Sequence, residues 1–193
     1  MSAQGLAVLL VLVNAAVIYG QIPSFGRCPD FPVVGHFAAN KYLGKWYEIE
    51  KYFTIFELGG TCITATYTDL GNGTIGVFNA MTEMLSRKRR TISGTAVLDD
   101  PSDGQAKLSV TFPSIPFSGK APYWVLDTDY DNYSVVWSCN NLALFNFQIV
   151  WFLSRSRNPT EEVRKKVYHT MESLGLSTNR LQVTEQTKCP ETY

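Results

Sequence analysis

Between residues 44 and 154 the chain is cut into short β-prone runs by turn signals at hairpin spacing, and this punctuation restricts the fold more than any other feature. Gly71-Asn72-Gly73 separates a run over 62–69 from one over 74–80, and Asp100-Pro101-Ser102-Asp103-Gly104 separates 91–98 from 106–112. Residues 129–132 separate 123–128 from 133–139, while 45–51 and 145–154 bring the runs to eight. Consecutive strands so joined are antiparallel neighbours. A soluble meander must hide its edges, in a barrel or a sandwich. Closure removes edges altogether, and eight strands leave an interior able to hold one small ligand. The expected fold is therefore all-β, an eight-stranded antiparallel up-and-down β-barrel.

One helix should follow. Asn158 is read as its cap, Pro159 as its first residue, Glu161 as the partner in a capping box and Gly175 as its stop. Val163, Val167, Met171 and Leu174 share one face, so this single C-terminal α-helix is expected to pack outside the strands. A short ninth strand over 181–184 precedes Cys189. Residues 21–41, with three prolines and two glycines, read as an irregular strap, and 53–60 and 81–90 read as loops.

Residues 6–18 form an apolar run of secretory length with Gly20 at a suitable cleavage point. Residues 1–20 are read as a signal peptide and 21–193 as one domain, secreted and extracellular. A retained anchor helix is the alternative, because no Lys or Arg precedes the run and Ile18 is bulky for a cleavage site. Cys28, Cys62, Cys139 and Cys189 are even in number and widely spaced, without a CxxC or a nearby His pair. That pattern points to disulfides rather than a metal site, with three pairings open. Asn72-Gly73-Thr74 and Asn132-Tyr133-Ser134 are glycosylation sequons, whereas Pro159 excludes Asn158. Lys plus Arg equals Asp plus Glu at 17 each, so no long-range field favours nucleic acid.

In a meander alternate turns lie at the same end, which brings Trp46, residues 128–130 and residues 153–155 together at one floor. A guanidinium over an indole there is a favourable cation–π pair. Gly44-Lys45-Trp46, Thr128-Asp129-Tyr130 and Arg155 resemble, in order and spacing, the three clustered motifs of the lipocalins. Residues 40–51, 121–126 and 128–133 are similar to the apolipoprotein D-like branch of that family, and the resemblance extends from Cys28 to Cys189.

The resemblance implies a protein that binds and transports a small hydrophobic ligand, such as a sterol, fatty acid, retinoid or bilin, without a catalytic residue or a resident cofactor. It assigns Gly44, Trp46, Thr128, Asp129 and Arg155 to the barrel floor and Tyr67, Asn79, Phe112, Trp151 and Leu153 to the ligand pocket. It pairs Cys28 with Cys139 and Cys62 with Cys189. Asn141 stands where mammalian members of the branch carry an extra cysteine, so a disulfide-linked partner is not expected.

Alternation within strands proposes further lumen residues: Phe147 and Ile149 beside Trp151 and Leu153, with Val150 and Phe152 outside; Ile63 and Ala65; Ile75 and Val77; Leu108 and Val110. Strict alternation from Trp46 would also put Glu48 and Glu50 inside, so a bulge or bend is expected soon after Trp46. Any single aromatic on these lists is as well explained by ordinary core packing.

At the opposite end the loops carry Phe53, Ile55, Phe56, Leu58, Met81, Met84, Leu85, Ile115, Phe117, Leu142, Leu144 and Phe145, beside the basic run Arg87-Lys88-Arg89-Arg90. Hydrophobic tips with positive charge suit a membrane or lipoprotein surface; a solvated hairpin or a basic processing site are the plainer readings. Two further functions compete with transport. One is a lipid-modifying enzyme using the second-strand thiol of Cys62, which the implied pairing with Cys189 would remove. The other is signalling or adhesion through the outer surface and a cell-surface receptor. His36 and His169 have no neighbouring catalytic partner in sequence and read as surface residues.

Overall fold

The computed structural model describes residues 23–115 and 119–190. The signal-peptide segment and Phe117 lie outside the described residues. The elements are β1 (Pro23–Phe25), α1 (Ala39–Tyr42), β2 (Gly44–Lys51), β3 (Gly60–Asp69), β4 (Thr74–Glu83), β5 (Arg89–Leu98), β6 (Lys107–Thr111), β7 (Ala121–Thr128), β8 (Tyr133–Leu142), β9 (Phe145–Ser154), α2 (Glu161–Ser173) and β10 (Gln182–Val183). Strands β2 to β9 pair antiparallel in sequence order, and β9 returns to β2 to close the barrel. The turn chemistry explains the hairpins: Gly71, Asn72 and Gly73 all have positive φ, which glycine and asparagine adopt at low cost.

Several expectations need correction at the element ends. The segment read as an 81–90 loop contributes to two strands, because β4 runs on to Glu83 and β5 begins at Arg89. The strap is not wholly irregular: β1 adds to the edge of β9 and α1 leads into Gly44. Asn158 is not the helix cap. Thr160 holds that position, its hydroxyl accepting the Val163 N–H, so the helix starts one turn signal later than the asparagine.

Two bulges set which side chains face inwards. Opposite β9, the register of β2 slips between Glu48 and Glu50, and on β3 it slips between Thr61 and Thr64, where Cys62 takes φ 55°. The first slip resolves the problem at Glu50: its carboxylate lies outside, accepting from Arg164 Nη1 at 2.8 Å and the Tyr168 hydroxyl at 2.9 Å on α2. Glu48 stays buried with Lys51 Nζ at 2.7 Å.

Apolar residues then sort into two clusters. Trp46, Tyr67, Val77, Leu108, Val110, Val125 and Leu153 build the interior, with Val34 and Phe37 of the strap packed against its closed end. Ile49, Trp137, Val150 and Phe152 face outwards against Val167 and Met171 of α2. The strap seals the floor by backbone bonding as well, since Val34 accepts from Ala106 and donates to Val125.

Candidate functional site

Gly44 has φ 93°, and a Cβ there would lie 3.3 Å from Arg155 Nη1, so both conformation and space call for glycine. The turn it permits sets Trp46 under the barrel with its indole N–H donating to the Tyr42 carbonyl at 2.9 Å. Arg155 lies 3.7 Å from the indole centroid. Its guanidinium also donates to four carbonyls: Lys41, Leu43 and Lys45 around the α1–β2 turn, and Tyr130 across the floor. Thr128 and Asp129 act one step removed, by shaping the turn that offers Tyr130. Asp129 accepts from the N–H groups of Asn132 and Tyr133 and from the Asn132 amide. Partial burial pushes its carboxyl up, but these hydrogen bonds outweigh it and hold it below the ordinary range.

Above the floor, Tyr67 donates to or accepts from Tyr123 at 2.7 Å, Tyr123 meets Tyr42 at 3.0 Å, and Tyr42 meets Ser134 at 2.9 Å. Burial raises all three phenols, Tyr42 to about 12 and Tyr67 and Tyr123 well above the ordinary phenol range, so the chain stays neutral. The phenol expected to meet ligand is thus already engaged in a hydroxyl chain. Tyr42, Tyr123 and Ser134 were not among the expected site residues. Tyr123 was within reach, because it shares the parity of Val125 in the 123–128 run, while Tyr42 and Ser134 join only through tertiary packing.

The other proposed pocket residues line the same interior. Leu153 is buried in the interior cluster and Trp151 and Phe112 pack against it half-buried. Asn79 on β4 lies opposite Ala65 of β3, two pairs above the Tyr67–Val77 pair and on the same face of the sheet. Its Oδ1 is fully buried and has no hydrogen-bond partner within the protein. Gly94 makes room for Phe112: a Cβ there would come 2.7 Å from the ring. That glycine was also missed, its signal being an isolated glycine inside a strand pattern.

Cys28 is bonded to Cys139 and Cys62 to Cys189, and no cysteine is free. Asn72 and Asn132 are both exposed at the closed end, the Asn132 amide being held by Asp129. His36 and His169 are exposed. At the open end the loops and the end of β1 present Phe25, Ile55, Phe56, Leu58, Met84, Leu85, Ile115 and Leu144 to solvent, eight of the eleven large exposed hydrophobics among the described residues. In the basic run Arg87 donates to the Lys188 carbonyl, Arg89 lies over Phe78 and Arg90 meets the Glu83 carboxylate at 3.6 Å.

A closed eight-stranded barrel, plugged by a Trp–Arg floor and carrying one helix outside, defines the class. The sequence profile described as "Lipocalin-like domain" matches residues 37–186, and the chain belongs to the lipocalin family. Within it the chain is apolipoprotein D-like. It is 38% identical to apolipoprotein D of Cavia porcellus over 191 residues, spanning 97% of this chain and 98% of that one. It is 36% identical to the Lazarillo protein of Schistocerca americana over 184 residues, 94% of this chain and 84% of that one. Among solved structures, insecticyanin of Manduca sexta superposes with TM-score 0.79 at 23% identity, covering 88% and 91% of the two chains, and apocrustacyanin C1 with TM-score 0.73 at 22%, covering 87% and 93%.

Proposed function

We propose that this lipocalin is a secreted carrier, released by removal of residues 1–20, that encloses one small hydrophobic molecule and performs no chemistry on it. The observation that carries the reading is Asn79 Oδ1, a buried acceptor with no partner in the protein, set in an apolar aromatic wall. Such an atom is costly unless something donates to it. An O–H or N–H on an otherwise apolar molecule would, which fits sterols, retinol and bilins, and a fatty acid only where the amide nitrogen or a protonated acid makes the contact. The enzyme reading lacks its nucleophile, because Cys62 is in a disulfide. Tryptophan fluorescence titrated with retinol, a sterol, a fatty acid and a bilin tests the proposal. We expect saturable quenching by at least one class, lost in Trp151→Ala. Asn79→Leu should weaken binding about fivefold, the worth of about 1 kcal/mol for one hydrogen bond. Failure of all four classes to saturate would remove the carrier reading.

The exposed apolar rim and its basic hairpin favour delivery at an anionic membrane or lipoprotein surface. Replacing Arg87, Lys88, Arg89 and Arg90 by Ser should reduce sedimentation with phosphatidylserine vesicles while neutral vesicles show no change. Sedimentation of the variant with phosphatidylserine vesicles unchanged from wild type would mean that these charges play no part. The glycans expected at Asn72 and Asn132 would sit at the far end and leave the rim clear.

A further inference from the structure

We propose that residues 182–189 act as a latched stave in the barrel wall, whose release opens a lateral entrance to the ligand chamber. β2 bonds to β3 only through Gly44–Tyr47 opposite Thr64–Tyr67. Above that point the two strands part and the C-terminal tail fills the wedge. β10 pairs with Glu50 and Lys51, the Thr184 N–H donates to the Ile49 carbonyl, and the Cys62 N–H donates to the Glu185 carbonyl. Gln186 Nε2 spans the gap, donating to the carbonyls of Glu48 at 2.9 Å on one side and Ile63 at 2.8 Å on the other. Thr184 and Gln186 are buried whereas Val183 and Glu185 are exposed, the alternation of a true wall strand.

This strand is held unlike its neighbours. None of residues 182–189 belongs to either hydrophobic cluster. Its inner face meets a buried polar group instead: Thr184 donates to Glu48, Lys51 bridges Glu48 and Glu57, and Thr54, Thr61 and Thr64 are buried nearby. On the adjoining strand, opposite Thr61, the hydroxyl of Thr82 is buried without a partner in the protein. A cleft of about 110 Å³, lined by Lys51, Thr54, Glu57, Gly60, Met84 and Thr184 among others, already indents the wall where the tail meets the mouth loops. A segment with hydrogen bonds but no apolar anchor belongs to the low end of local stability. What fastens it is the Cys62–Cys189 disulfide. The β3 residues bordering the wedge lead directly to Ala65 and, across the β3–β4 ladder, to Asn79, so an opened wedge meets the chamber from the side.

The entrance serves a carrier and so rests on the ligand-binding reading, but the wall can be tested without a ligand. Ala65→Cys places one free thiol on the chamber wall, and its reaction rate with N-ethylmaleimide is measured in the native background and with Cys62→Ser and Cys189→Ser. Removing the latch should raise the labelling rate about tenfold or more and speed hydrogen exchange at residues 48–51, 62–64 and 182–186, leaving 107–111 unchanged. Retinol association and dissociation should both accelerate with little change in Kd. Unchanged labelling in the unlatched protein, or tail amides that remain protected, would overturn the proposal. Should the double serine variant fail to fold, Thr184→Val with Gln186→Ala keeps the disulfide and removes the spanning bonds; about threefold faster labelling is expected and an unchanged rate overturns the idea. Failure of retinol, sterol, fatty acid and bilin alike to bind any of these proteins would sink the carrier reading, while the labelling rates would still decide whether the wall opens.

Discussion

At the scale of single residues, the positions that shape the chamber most sharply are those with least side chain. A Cβ on Gly94 would stand 2.3 Å from the Thr111 carbonyl oxygen as well as 2.7 Å from Phe112. A backbone oxygen in a paired strand cannot give way as a flexible side chain can, so β5 and β6 must separate or Phe112 must swing. Gly94→Ala is therefore expected to cost about 1–3 kcal/mol, the range for overpacking, and to weaken ligand binding through Phe112. Urea denaturation and retinol titration of the variant measure the two effects, and a wild-type midpoint would show that the ladder yields more easily than its geometry implies. Gly44 differs in kind: its neighbour is the Arg155 side chain, and the φ of 93° is the larger obstacle there.

Elements show a second logic, in which bulges rather than residue types choose what is buried. The slip between Glu48 and Glu50 sends one carboxylate out to α2 and keeps the other inside. Burial first, then the neighbouring Glu57, raise the Glu48 carboxyl from 4.5 to about 8, against the pull of Lys51. Burial works against the Lys51 ammonium, but Glu48 and Glu57 outweigh it and hold its pKa above the ordinary value. The folded acid keeps its proton to about pH 8 and the unfolded one loses it near 4.5. Between those values the folded state binds more protons, so this group's contribution is full below 4.5 and fades as pH rises through the window. Glu48→Gln, which imitates the protonated acid, should flatten the fall in urea midpoint between about pH 5 and pH 8. A slope identical to wild type would place the titration elsewhere. The same elements show what the sequence could reveal. The eight strands were legible because Gly, Asn, Asp and Pro mark their turns chemically, and the Trp46–Arg155 floor because meander topology forces those ends together. The slip at Ile49 was legible only as a need, since strict alternation from Trp46 would have put both Glu48 and Glu50 inside; its position is set by β2 pairing with β9 on one side and with β3 and β10 on the other. The cap at Thr160 was hidden for a simpler reason, since Asn158 and Thr160 are both competent cap residues and the sequence does not mark which of them the helix uses.

On the scale of the whole molecule, the two sides of one sheet are packed differently. The exterior cluster between the wall and α2 contains completely buried side chains, among them Phe152, Val167 and Met171. The interior cluster carries half-buried Trp151 and Phe112 against it, and on the same wall stands Asn79, whose Oδ1 has no hydrogen-bond partner in the protein. Adjacent residues of β9 illustrate the division, Phe152 facing the helix and Trp151 the chamber. If the sheet separates stability from binding, substitutions on its two faces should have opposite signatures. Met171→Ala empties a fully buried site and is expected to cost about 2–5 kcal/mol of folding stability, with retinol affinity little changed at temperatures where the protein remains folded. Trp151→Ala removes a partly exposed ring from the chamber wall, so it should abolish most ligand affinity at a smaller cost in stability. Paired urea denaturation and retinol titration of the two variants decide the matter. Proportional loss of both properties in both proteins would mean that the chamber depends on the helix for its shape, and that the sheet transmits strain across its thickness instead of isolating its two faces.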